Sequence, residues 1–175
     1  MRMKSSLAAL SLAALACSGQ VAAAQLNDGQ ILGIYIQVNS FDIETALLGA
    51  ARAKSPSVRA LAAAVARDHI GVRNAASALA RKAGISPMLP SERFAAASDH
   101  DALMEDLLAR SGADFDRAYI SNELAFHRAA IEAVQSVLLA QAHDAALQAH
   151  FRDVLPHFEH HLAETERVAR ELGLK

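Results

Sequence analysis

Cysteine is almost missing from this chain: Cys17 is the one thiol among 175 residues. It falls inside a leader segment expected to be removed, so the mature protein has no disulfide and no thiolate to offer a metal or a substrate. Tryptophan is absent, and aromatic residues make up only 5% of the chain. No excess of either charge exists either: 17 basic residues face 19 acidic ones, a formal charge of −2, which excludes a general nucleic-acid binder. Beyond the first residues no apolar stretch reaches 18, and no series of alternating ten-residue strands suggests a membrane barrel. Also lacking are a glycine-rich loop after a strand, a Gly-x-Ser-x-Gly elbow and a His-Glu-x-x-His helix. Phosphoryl and acyl transfer therefore have no visible machinery.

What is present is a 53% hydrophobic composition, enough apolar surface to offset the entropy of ordering one compact, mostly helical domain. Arg2 and Lys4 precede an apolar Leu/Ala run from Ser5 to Cys17, and Ala22-Ala23-Ala24 then offers small side chains to a signal peptidase. This pattern predicts a signal peptide over 1–24, a mature domain over 25–175 and a periplasmic destination. Cleavage removes two bases and no acid, moving the formal charge from −2 to −4. Lipid attachment at Cys17 is the alternative; Leu15 precedes that cysteine by two positions where lipidation normally has leucine at three.

The mature chain reads as four long helices. The first, Asp28 to Lys54, carries Ile31, Tyr35, Val38, Asp42, Thr45 and Gly49 at spacings of three and four. Ser55-Pro56 starts the second, which stops at Gly84 and carries Val58, Leu61, Val65, His69, Val72, Ala76 and Leu79. A long connection follows, with Pro87, Pro90 and a short helix near Asp101 to Arg110. The third helix runs from about Ala113 to Gln141 with a broad stripe that includes Phe115, Tyr119, Ile120, Phe126 and His127. The fourth, about Asp144 to Leu172, has Leu147, Phe151, Val154, Phe158, His161, Thr165 and Val168 in register, with Pro156 predicting a local kink. Short, long and short links predict an all-α, ferritin-like four-helix bundle whose second and third helices run parallel.

Depth can then be counted at 1.5 Å per residue. His69 and His127 fall at nearly equal distances from their helix starts, and across the two hairpins Asp42 faces His69 while His127 faces His157, with His161 one turn on. Each helix thus brings a polar residue to one level. A carboxylate with several imidazoles in an apolar core is a ligand set for zinc, copper or iron. The candidate ligands are Asp42, His69, His127, His161 and His157, with Tyr119 and Asp116 as supporting partners. The carboxylate-rich di-iron motif fits less well, since Glu123 and His127 are four apart where that motif needs three. His100, His143 and His150 read as solvated, and Glu44 as solvent-facing. Two rival readings stay open: a hydrogen-bonded core network in a structural or partner-binding envelope protein, and a metal-dependent oxidoreductase. No protein partner is indicated.

Asn39 with Asp42-Ile43, Asp68-His69, Phe115-Asp116 with Tyr119 and His127, and Leu155-Pro156 before His161-Leu162 together resemble a bacterial family of exported ferritin-like proteins, domain of unknown function 4142. The resemblance spans about residues 27 to 172. It implies the bundle fold and export, and no particular activity. The family pattern usually has Glu where this chain has Asp42, and it does not include Glu123, His157 or His160.

Overall fold

The computed structural model describes residues 25–174, so the expected leader, including Cys17, lies outside the described residues. Helix α1 spans Asp28–Arg52 and α2 spans Pro56–Ala83. After a single 3₁₀ turn at Ser91–Arg93 comes α3, Phe94–Ala109. The long helix α4 begins as Gly112–Ala133, passes through a π-helical turn at Val134–Leu138 and closes with Leu139–Gln141. Helix α5 is Ala145–Glu171. Among the described residues there is no strand, and no helix is long and apolar enough to cross a membrane.

Local chemistry sets these bounds. Asn27 and Gln30 form a reciprocal capping box at the start of α1. Pro56 opens α2 where its missing amide has no intrahelical partner to lose. Gly84 ends α2 at φ +68°, the left-handed conformation that a side chain resists. Asp144 caps α5 through the Leu147 amide. The short helix expected at Asp101 to Arg110 starts seven residues earlier, at Phe94, and Pro156 sits inside an α5 that remains one continuous helix.

Helices α1 and α2 form one hairpin, α4 and α5 the other; α1 also packs on α4 and α2 on α5. Two carboxylates fix how the hairpins meet. Asp116, in the first turns of α4, accepts from the amides of Lys54 and Ser55 in the α1–α2 turn, both at 2.8 Å. Asp28, at the start of α1, accepts from the amides of His143 and Asp144 in the α4–α5 turn, at 2.8 and 3.0 Å. Each hairpin is thus clamped at the other's turn, which puts the starts of α2 and α4 at one end and makes them parallel, as the long link requires.

That link runs the whole length of α1. The Met88 amide donates to the Gly29 carbonyl at 2.9 Å, and at Gly33 a Cβ would stand 2.1 Å from the Met88 carbonyl oxygen, so only glycine admits this approach. Farther along, Arg93 bonds Gln37, His100 bonds Glu44, and the Arg110 carbonyl accepts from Arg52. The all-α, ferritin-like four-helix connectivity with its crossover between α2 and α4 follows directly.

The core is divided. At the α1–α2 turn lies a cluster that includes Val58, Leu61, Val65, Leu107, Phe115, Tyr119, Ile120 and Val168. At the other end Ile31, Leu32, Tyr35, Val134, Leu147, Phe151 and Phe158 form a second. Each large side chain fully removed from water in these clusters contributes about 1.5–3 kcal/mol. Between them sits a buried polar layer: Asn39, Asp42, His69, Glu123, His127, His161 and Thr165.

Candidate metal centre

Every helix of the bundle supplies this layer from its middle turns. Asp42 and Asn39 come from α1, His69 from α2, Glu123 and His127 from α4 and His161 from α5. One nitrogen each of His69, His127 and His161 lie within 4.8 Å of one another, as do ligand atoms of Asp42, Glu123 and His127. Donors around a tetrahedral zinc stand about 3.4 Å apart, so the imidazole set is loose by at most about 1.4 Å.

The hydrogen bonds decide which nitrogen of each ring is free. The Asn39 amide nitrogen donates to the Tyr35 carbonyl at 2.8 Å, so its oxygen is the atom facing His69 Nδ1 at 3.0 Å. That oxygen can only accept; His69 therefore carries its proton on Nδ1 and leaves a lone pair on Nε2. His127 Nδ1 donates to the Glu123 backbone carbonyl at 3.1 Å, freeing Nε2 in the same way. His161 Nε2 donates to the Asp68 carboxylate at 3.1 Å, freeing Nδ1. These three free nitrogens are all buried without a hydrogen-bond partner. An outer N–H held by an acceptor and an inner lone pair left open is how metal-bound histidines are oriented.

Asp42 completes the set. Its Oδ2 lies 3.0 Å from His69 Nε2 and 4.0 Å from His127 Nε2, yet neither carboxylate oxygen meets a donor in hydrogen-bond geometry. Two lone pairs facing each other at 3.0 Å in a dry core repel unless a cation lies between them. The residues therefore fit a metal: three imidazole nitrogens and a carboxylate, all inaccessible to water and all lacking partners.

The electrostatics follow from burial. Burial works to raise the Asp42 pKa, but a proton on the facing imidazole of His69, or on His127 or His161, outweighs it and holds the carboxyl below its ordinary value. Burial pushes His127 down to about 4 against the nearby charge of Asp42, and lowers His161 as well. Glu123 is pushed well above the usual carboxylate range by burial and then by the charge of Asp42. Burial, with the charges of Glu123 and Asp42, likewise raises the Tyr119 phenol. The Phe158 ring stacks on His69 at 5.1 Å and covers that side of the layer. Asp68, tied to Arg67 at 2.9 Å and with its side chain 40% exposed, links the centre to solvent.

Of the expected site residues, the structure brings Asp42, His69, His127 and His161 together, with Tyr119 next to Glu123 one turn away. His157 is exposed and belongs to neither convergent set, because it lies at the rim of the stripe defined by Val154, Phe158, His161 and Thr165. Asp116 is no partner of this centre: it holds the amides of the α1–α2 turn, about 16 Å of helix before His127. His100, expected in solvent, is buried; it stacks on Phe41 at 4.3 Å and bonds Glu44, fastening the crossover to α1. Glu44 is exposed as expected, His143 lies in an exposed position and His150 is half-buried. Residues missed as participants are Glu123, Asn39 and Asp68. Glu123 precedes His127 by four, a spacing that shares a helix face; Asn39 precedes Asp42 by three on the same seam.

A helical bundle with a buried histidine–carboxylate layer is the class these features define. The sequence pattern of the domain of unknown function DUF4142 matches residues 13–168, and the chain belongs to that family. No curated protein is similar enough in sequence to count as a relative. Among solved structures, the chain is similar to a Streptomyces coelicolor protein described as a candidate secreted protein, DUF305. The two share 14% identity with a TM-score of 0.70, over 84% of this chain and 93% of that one, a likeness of fold alone.

Proposed function

We propose that this protein is an exported member of its family that binds a transition-metal ion in its core through His69, His127, His161 and Asp42, for metal handling or protection against metal-linked stress. The observation that carries the reading is the tautomer pattern: three imidazoles with their outer protons held by Asn39, the Glu123 carbonyl and Asp68, and their inner nitrogens buried and open, those of His69 and His127 at 3.0 and 4.0 Å from Asp42 Oδ2. A core network held together only by hydrogen bonds would pair these atoms with one another, and they are unpaired. Zinc, copper and iron all accept such donors. Four protein donors supply Lewis acidity when a metal is bound, and binding without turnover is the simplest function they support. Residues 1–24 serve as the signal peptide and 25–175 as the working domain in the periplasm.

Elemental analysis tests this. Protein expressed from the full chain and recovered from the periplasm without chelator should carry close to one metal ion per chain and begin at residue 25. His127→Ala should lose the metal and lose the thermal shift that zinc, copper or iron gives the wild type. Metal-free wild type with no thermal shift on adding any of these would refute the reading and leave the layer as a polar network.

A further inference from the structure

We propose that the polar layer holds a second cation beside the first, in a compartment of oxygen donors made by Glu123, the remaining oxygen of Asp42 and the Tyr119 hydroxyl. This rests on the reading of the three imidazoles as a metal site. That site engages Asp42 through Oδ2, the oxygen 3.0 Å from His69 Nε2 and 4.0 Å from His127 Nε2. Oδ1 is left over, buried and without a partner. Glu123 is wholly enclosed, at 0% exposure, and neither of its carboxylate oxygens has a hydrogen-bond partner; the Tyr119 hydroxyl, also at 0%, has none. Ligand atoms of Asp42, Glu123 and His127 come within 4.8 Å of one another.

Without a cation, only a proton kept on Glu123, which burial and the charge of Asp42 favour, neutralises this group. No lysine or arginine is among the buried residues described. His127 Nδ1 is 3.5 Å from Glu123 Oε2, but its proton is already engaged by the Glu123 backbone carbonyl at 3.1 Å. Two carboxylates this close in a dry interior cannot both be ionised without a cation between them, and one ion drawn to the imidazoles sits on the Oδ2 side of Asp42. A second ion on the Oδ1 side would be met by oxygen donors, with Asp42 shared between the two.

The two compartments differ in chemistry. Imidazole nitrogens select zinc, copper or iron, whereas carboxylate and hydroxyl oxygens suit harder ions such as manganese or magnesium. Few protein donors serve the second ion, which leaves positions open to water or a small anion.

The experiment loads metal-free protein with one equivalent of zinc, adds excess manganese and counts retained ions by native mass spectrometry. Wild type should retain one zinc and one manganese per chain. Glu123→Gln should retain zinc while binding manganese at least tenfold more weakly. Tyr119→Phe, which keeps the ring in its packing position, should weaken manganese alone and serves if Glu123→Gln does not fold. Zinc retained without manganese, or manganese held by both variants as by wild type, overturns the second site and leaves the first standing. Absence of zinc removes the first site and the second with it.

Discussion

The neutral state of His127 in the metal-free protein has a stability consequence that can be worked out from its burial. An unfolded chain protonates this imidazole near 6.5, while the folded protein holds it down to about 4. Between those values the unfolded state binds more protons than the folded one, so stability must fall as pH falls. The contribution is fully present above pH 6.5 and is lost by the time pH reaches 4. At 1.36 kcal/mol per unit, the loss across that window is about 3 kcal/mol. Lowering of the His161 pKa acts in the same direction. Asp42 also acts in that direction but at lower pH, because a depressed carboxyl pKa is felt only below its unfolded value of 3.8. Urea unfolding followed by circular dichroism, in chelator, at pH 7, 6, 5 and 4 measures the curve. His127→Leu keeps a side chain of similar volume and removes the titration. Its stability should decline by about 3 kcal/mol less than wild type between pH 6.5 and 4. Parallel curves for the two proteins would refute the claim that His127 is held neutral by burial. Saturating zinc should steepen the wild-type curve, since the metal binds only the deprotonated ring.

Replacing Asn39 with leucine removes the acceptor that fixes the His69 tautomer; a competition titration against a chromophoric chelator should show metal affinity lower by about 10–100-fold with helicity unchanged. Asp116→Ala should destabilise the fold by about 1–2 kcal/mol in urea, because two amides of the α1–α2 turn lose their acceptor, while metal content measured by elemental analysis stays that of the wild type.

Much of this architecture was legible because bundle geometry is nearly one-dimensional. Once Ser55-Pro56 and Gly84 bound α2, counting residues along helices of fixed rise puts Asp42, His69 and His127 on one level; on α5 the count favours His157, whereas the apolar seam carries His161, which is the residue that converges. Residues whose roles depend on contacts between elements were not legible in this way. His100 looks like a polar residue in a connector until the crossover lies along α1 and presents Phe41 and Glu44 to it. Asp116 shares a helix with His127, yet its partners are amides of a different hairpin's turn. Glu123 was the nearest miss: its spacing from His127 excludes the di-iron motif, but the same spacing aims both side chains at the core. Motif matching discarded a residue that helix periodicity retains.

The division of the core bears on what an occupant would do. Apolar clusters close the polar layer from both ends, so water has little part in stabilising its charges. The hairpins, meanwhile, are joined at their turns by Asp28 and Asp116, whose bonds do not involve the layer. Filling the centre should therefore leave the arrangement of helices in place and act on stability. A ligand present at a thousand times its dissociation constant adds about 4 kcal/mol to folding. That is a large fraction of the about 5–15 kcal/mol that holds a domain of this size together. On the proposed reading, metal supply sets how long the protein survives unfolding and proteolysis, with the folded shape itself nearly the same in both states.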